Sequence, residues 1–174
     1  MNDRRSIGGL FCDLEKAFDC VNHRILLEKL EFYGIKGKFL DLIQSFLQGR
    51  HQKLLTNKHT APEDTPSEWT TVTHSVPQGS ILGPLLFLVY INDLPLLADT
   101  NSKIVLFADD TSTIITSSNQ VELRTLLHKT LSEINSWFKT NLSSLNINKT
   151  CFLHFKNNNN IDNTLTINYM NEST

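Results

Sequence analysis

Aspartate is uncommon at the end of an apolar strand, because burying an unpaired carboxylate is costly. Two segments of this 174-residue chain place it there: Gly9-Leu10-Phe11-Cys12-Asp13, and Val105-Leu106-Phe107-Ala108-Asp109-Asp110. If those strand ends are neighbours, Asp13, Asp109 and Asp110 converge on one point, and their oxygens suit hard divalent cations such as magnesium. Two such ions roughly 3.5 to 4 Å apart clamp the attacking and leaving oxygens of an in-line phosphoryl transfer. Asp is also a common turn residue, so Asp109-Asp110 by itself reads first as a turn. Ser75-Val76-Pro77-Gln78-Gly79-Ser80 adds a backbone that can be closely approached at Gly79 and, at Gln78, an adjacent donor and acceptor. Leu145-Asn146-Ile147-Asn148-Lys149-Thr150 sets a cation just before an extended run, although Lys149 alone reads as a solvated lysine.

Sixteen Lys and Arg against eighteen Asp and Glu, a net charge of −2, argue against holding nucleic acid by bulk charge. The charges are unevenly spread. From His23 to His59 seven bases (Arg24, Lys29, Lys36, Lys38, Arg50, Lys53, Lys58) face three acids, whereas from Tyr90 to Arg124 five acids face two bases. A basic flank beside an acidic centre suits metal ions held between carboxylates and a polyanion. The longest apolar run, Ile81 to Ile91, is broken by Gly83-Pro84 and is well short of the roughly 20 residues of a membrane span, so no membrane partner is expected. No secretory signal is recognisable. Three cysteines, Cys12, Cys20 and Cys151, without CxxC spacing fit a reducing intracellular compartment better than a disulfide framework or a thiolate zinc site.

The apolar periods predict the elements that must position these residues. Ile7 to Leu14 reads as a strand, Val21 to Tyr33 as a helix stopped at Gly34, and a second helix carries Phe39, Leu42, Ile43, Phe46 and Leu47 up to Gly49. His51 to Leu55 and Trp69 to Thr73 look extended, separated by a polar loop with Pro62 and Pro66. Ser80 to Asp93 reads as a helix packed on most sides, with Pro84 in its first turn. Lys103 to Ala108 and Thr111 to Thr116 are strands separated by Asp109-Asp110, which is hairpin spacing. Asn119 and Glu122 form a capping box for a helix whose stripe is Leu123, Leu127, Leu131, Ile134 and Phe138. Cys151 to Phe155 and Leu165 to Tyr169 are further strand candidates around the low-complexity Asn157 to Asn160. Interleaved helices and strands about a central hairpin favour an α+β fold, an antiparallel sheet with helices on one face.

Four ordered segments together resemble the palm motifs of reverse transcriptases, of the type found in non-LTR (LINE-type) retrotransposons. They are Phe11-Cys12-Asp13-Leu14-Glu15-Lys16-Ala17-Phe18-Asp19, Val21-Asn22-His23 with Leu26 to Leu30, Ser75 to Phe87, and Phe107-Ala108-Asp109-Asp110-Thr111. The resemblance runs from about Gly9 to Phe155 and implies a palm domain of the right-hand polymerase type over residues 1–156, followed by an Asn-rich segment over 157–174. It implies an RNA-directed DNA polymerase that joins deoxynucleoside triphosphates to a DNA primer 3′-hydroxyl on an RNA template, working in the nucleus on chromosomal DNA. Two Mg2+ ions, with Mn2+ as a substitute, would be held by Asp13, Asp109 and Asp110, with the Leu14 carbonyl as an extra oxygen. Phe18 would lie under the sugar as a steric gate against the 2′-hydroxyl, Gln78 and Gly79 would line the incoming nucleotide, and Lys149 would give a proton to departing pyrophosphate. The basic segment from Arg24 to Lys58 is the candidate template-primer track.

Ser75 departs from the pattern, since the family usually has Gly just before Val-Pro-Gln-Gly; a side chain there takes away backbone freedom. The family's fingers and thumb have no counterpart in the chain, which is therefore expected to be a fragment of an element, a truncated copy or a partial gene model. Two other readings are a palm that has lost activity and binds nucleic acid or a protein, and a metal-dependent nuclease using the same carboxylates. The nuclease reading leaves Phe18 and Pro77-Gln78-Gly79 without a purpose.

Overall fold

The computed structural model describes residues 5–53 and 68–155. Leu54 and Leu55, Lys58, the loop with Pro62 and Pro66, the Asn157 to Asn160 tract and the expected strand Leu165 to Tyr169 lie outside the described residues. In chain order the elements are β1 (Ser6–Cys12), α1 (His23–Phe32), α2 (Lys38–Leu47), β2 (His51–Gln52), β3 (Thr70–Thr71), α3 (Leu82–Ile91), β4 (Ser102–Phe107), β5 (Asp110–Ser117), α4 (Gln120–Thr140) and β6 (Cys151–Phe155), with a 3-10 turn at Leu94–Leu97. The fold is α+β. Strands β4, β5, β1 and β6 form an antiparallel sheet in that order, and β2 pairs with β3 separately.

The strand pleat divides the sheet into two unlike faces. Leu10 and Cys12 of β1, Ile104 of β4, and Thr111, Thr113 and Ile115 of β5 are buried against the helical layer. On the other face, Val105, Phe107, Leu153 and Phe155 are exposed. Helix α4 packs along β1 and β5 with the stripe its period dictates, Leu123, Leu127, Leu131, Ile134 and Phe138, all buried. Each such side chain contributes roughly 1.5–3 kcal/mol of burial, which makes this seam the main attachment of the helical layer. At Gly8 a Cβ would stand 2.6 Å from the Phe152 ring, so a side chain there would have to displace that ring.

Three local expectations are corrected. The β4–β5 turn is Ala108-Asp109, not Asp109-Asp110: Ala108 takes φ 52°, as the first residue of a two-residue hairpin can, and Asp110 pairs with Phe107 as the first residue of β5. Asn119 does cap α4 by accepting the Glu122 amide at 2.9 Å, but the Glu122 carboxylate reaches one residue further back than in a capping box. There Ser118 offers two donors, its amide at 3.0 Å and its hydroxyl. These bonds hold the Glu122 carboxyl below its ordinary value. Helix α3 is shorter than Ser80 to Asp93 and is not packed on most sides. Gly83, Leu86, Phe87, Tyr90 and Ile91 are buried, whereas Ile81, Leu82, Leu85 and Leu88 are exposed.

Candidate active site

The register that pairs Cys12 with Thr111 carries the next residue of β1, Asp13, toward Asp110 at one end of the sheet, on the face away from the helices. Asp109 stands beside them in the hairpin turn, half-buried, while Asp110 is exposed. The backbone after β1 is fixed by the segment before β6. Asn146 N–H donates to the Asp13 carbonyl at 2.9 Å, Glu15 N–H to Ser144 O at 3.0 Å, and Leu14, itself buried, bridges to Leu145. The same segment reaches the Asp13 side chain. Its Oδ2 accepts from Asn146 Nδ2 at 3.3 Å and pairs with Lys149 Nζ at 3.2 Å. The carboxylate is 21% exposed and the lysine 68%, so a partly sheltered anion meets a cation on a mobile stem.

Asp13, Asp109 and Asp110 present only oxygen donors, the chemistry a hard divalent cation requires, and the Lys149 ammonium already rests on one of them as a cation. Among the described residues no group of three or more His, Cys, Asp and Glu side chains is gathered as a metal-holding cluster. What the fold brings together is therefore the two strand ends, with Asp109 in the turn outside the pleat that aligns Asp110 with Asp13.

A second group lies behind the first. Residues 74–78 are fastened onto residues 18–23: Val76 N–H donates to Phe18 O at 3.0 Å, Ser75 N–H to Val21 O at 2.9 Å, and His74 bridges to Asn22. Phe18 is half-buried with its ring 4.9 Å from that of Phe87 on α3. Gln78 Nε2 donates to Asp19 Oδ1 at 3.2 Å. Gly79 takes φ 79°, where an L side chain is disfavoured, and nothing lies within 4 Å of where its Cβ would be. Gly83 serves close approach instead, since a Cβ there would stand 2.7 Å from Pro77 O. Thus Phe18, Gln78 and Gly79 belong to one strap and Asp13, Asn146 and Lys149 to one contact set, joined through the turn after β1.

Sequence reasoning did not single out His23, Asn146 or the residues around Lys29 as functional. His23 is buried and donates from Nε2 to Ser75 O at 2.8 Å. In the sequence it stood at the end of Val21-Asn22-His23, one of the segments that carry the resemblance, with no role of its own attached. Lys29 is removed from the candidate basic track. Its Nζ lies 2.6 Å from Asp93 Oδ1, 2.6 Å from Tyr90 O and 4.6 Å from the Trp137 ring centre. Burial pushes Lys29 below the ordinary lysine value, against the pull of Asp93 in the other direction. Arg24 is exposed and paired with Glu28 at 2.9 Å. Lys36, Lys38 and Lys53 are exposed.

Comparison with known proteins bears on the family and the fold. The family model described as reverse transcriptase (RNA-dependent DNA polymerase) matches residues 1–170. The RNA-directed DNA polymerase from mobile element jockey of Drosophila funebris is 30% identical over 156 residues, covering 86% of this chain and 16% of the relative. The probable RNA-directed DNA polymerase from transposon BS of Drosophila melanogaster is 28% identical over 167 residues, covering 87% of this chain and 17% of the relative. The chain thus spans about one sixth of the length of these curated relatives. Among solved structures, apo telomerase from Candida tropicalis truncated from its C-terminal domain superposes with a TM-score of 0.62 at 14% identity, covering 88% of this chain and 32% of that one. That likeness is one of fold. The family match over residues 1–170 and the retrotransposon relatives place this chain in the reverse transcriptase (RNA-dependent DNA polymerase) family.

Proposed function

We propose that residues 1–156 form the catalytic palm of a non-LTR retrotransposon reverse transcriptase, adding deoxynucleotides to a DNA primer on an RNA template in the nucleus. The observation that carries this reading is the sheet end, where Asp13 approaches Asp110 in register while its carboxylate is held by Lys149 and Asn146. Reverse transcriptases generally depend on a divalent metal, and Asp13, Asp109 and Asp110, with the Leu14 carbonyl, are the oxygens that would hold two Mg2+ or, in their place, Mn2+. When bound, such ions favour the primer alkoxide and neutralise triphosphate charge.

The remaining work falls to the chain itself. The primer 3′-hydroxyl gives its proton to solvent as its oxygen bonds the α-phosphorus, the bond from that phosphorus to the departing pyrophosphate breaks, and Lys149 supplies the proton that pyrophosphate takes up and regains one from solvent. Its exposed ammonium is free to move between Asp13 and a leaving group. Phe18, seated on Phe87, is the aromatic floor for the sugar, and Gln78, tied to Asp19, lines the nucleotide beside Gly79. The test is primer extension on an RNA template by this chain, with Asp109→Asn as control. Loss of a carboxylate that stabilises the transition state is expected to lower incorporation by about 100-fold or more. Incorporation unchanged in Asp109→Asn would overturn the reading.

A further inference from the structure

We infer that His23 is a positioning residue for the nucleotide-binding strap, holding Ser75 in a backbone conformation that serine does not keep unaided; the nucleotide part of this statement rests on the function proposed above. Ser75 has φ 78°, in the left-handed region where an L side chain crowds its own backbone. Such a residue relaxes unless its neighbours fix it on both sides. Its amide is fixed by Val21 O at 2.9 Å and its carbonyl by His23 Nε2 at 2.8 Å. A carbonyl only accepts, so the Nε2 nitrogen carries the proton.

The geometry explains why this latch matters two residues further on. Ser75 is where the chain turns from the His74–Asn22 bridge into Val76, Pro77 and Gln78. Val76 is buried and bonded to Phe18 O at 3.0 Å, Pro77 O lies against Gly83, and Gln78 is bonded to Asp19. Release of Ser75 to an ordinary negative φ would redirect the chain between these fixed points and shift Gln78 and Gly79 relative to Phe18. The imidazole is suited to the task because its ring is buried where α1 begins while one nitrogen reaches across to the strap.

The test is hydrogen exchange of the Ser75 and Val76 amides in the full chain, for the wild type, His23→Ala, His23→Gln, Ser75→Gly and the double variant His23→Ala with Ser75→Gly. In His23→Ala these two amides are expected to exchange about tenfold faster or more while β1 and β5 amides stay protected, because the opening is local. Glycine accepts positive φ without support, so in the double variant the increase should shrink to about threefold or less. His23→Gln, which keeps a donor, should likewise stay within about threefold of wild type. Unchanged exchange in His23→Ala, or an equal rise with and without Ser75→Gly, would overturn the latch. If His23→Ala exposes β1 and β5 as well, His23→Gln decides, and an increase of about tenfold there counts against the proposal. In single-nucleotide incorporation, His23→Ala is expected to raise the KM for the nucleotide about fivefold with kcat within about twofold. A wild-type chain that incorporates nothing would count against the polymerase reading, and the exchange result would still decide the latch.

Discussion

Cys12 sits in the sheet, 3% exposed, while Cys151 on the neighbouring β6 is exposed. Burial first, and Cys151 second, push the Cys12 thiol from 9.0 up to about 12. Between those values the unfolded chain gives up the proton and the folded chain keeps it, so stability contributed by Cys12 is intact below pH 9 and is lost as pH rises toward 12. The loss is at most about 4 kcal/mol at the top of that window. Lys29 is shifted downward by burial and works in the opposite sense, gaining stability as pH rises toward the ordinary lysine value of 10.5. A comparison of alkaline melting curves isolates the thiol: Cys12→Ala should show a smaller fall in Tm between pH 9 and 11 than the wild type, and equal falls would show that the thiol is not sheltered. At this scale much of the candidate site was legible. An acid closing an apolar strand announces itself by type, whereas the Ser75 conformation appeared in the sequence only as a missing glycine. The His23 bond to Ser75 spans 52 positions and has no local signature.

Helices α1, α3 and α4 meet at a polar knot that the apolar periods gave no reason to expect. Lys29 of α1 bonds Asp93 just after α3 and faces Trp137 of α4, and the Tyr90 hydroxyl of α3 donates to the Asn141 carbonyl after α4. The two ends of the ion pair are unequal, with Lys29 14% exposed and Asp93 33%. Removing the carboxylate strands a sheltered ammonium, whereas removing the ammonium leaves an anion that water can reach. Asp93→Ala is therefore expected to cost about 3 kcal/mol, and Lys29→Met, which keeps the stem packed, about 1 kcal/mol or less. Urea unfolding of both variants checks the order, and equal losses would show the pair to be symmetric. Periodicity did locate α1, α2, α4 and the main strands, because one face of each is buried at a regular step. It overestimated the packing of α3, since an all-apolar helix reads alike whether or not every flank is covered. It also missed the turn by one residue, because only the backbone at Ala108 distinguishes Ala108-Asp109 from Asp109-Asp110.

For the whole molecule, the net charge of −2 conceals a division that the fold sharpens. Of the bases between Arg24 and Lys53, Lys29 is held inside, Arg24 is paired with Glu28 and Arg50 is half-buried, which leaves Lys36, Lys38 and Lys53 exposed for a polyanion. If these line a template-primer path, Lys36→Ala should lower the slope of log affinity against log salt by about 0.7–0.9, and Lys29→Met should leave it unchanged. Filter binding with an RNA–DNA duplex over a range of salt concentrations measures both, and a slope insensitive to Lys36 would remove it from the path. The fold class and family were readable because several motifs had to occur in one order. How the carboxylates relate was not, since it depends on strand register and on the loop that brings Lys149 to Asp13. Metal-dependent chemistry at that sheet end is what the proposed function requires first. It is tested by Mn2+ titration followed by electron paramagnetic resonance on the wild type, Asp13→Asn, Asp109→Asn and, as a control carboxylate on α4, Glu133→Gln. Binding weakened about tenfold or more in both aspartate variants and unchanged in the control is the expected result. Binding that is indifferent to Asp13 and Asp109 would place the metal elsewhere and remove these carboxylates from the chemistry.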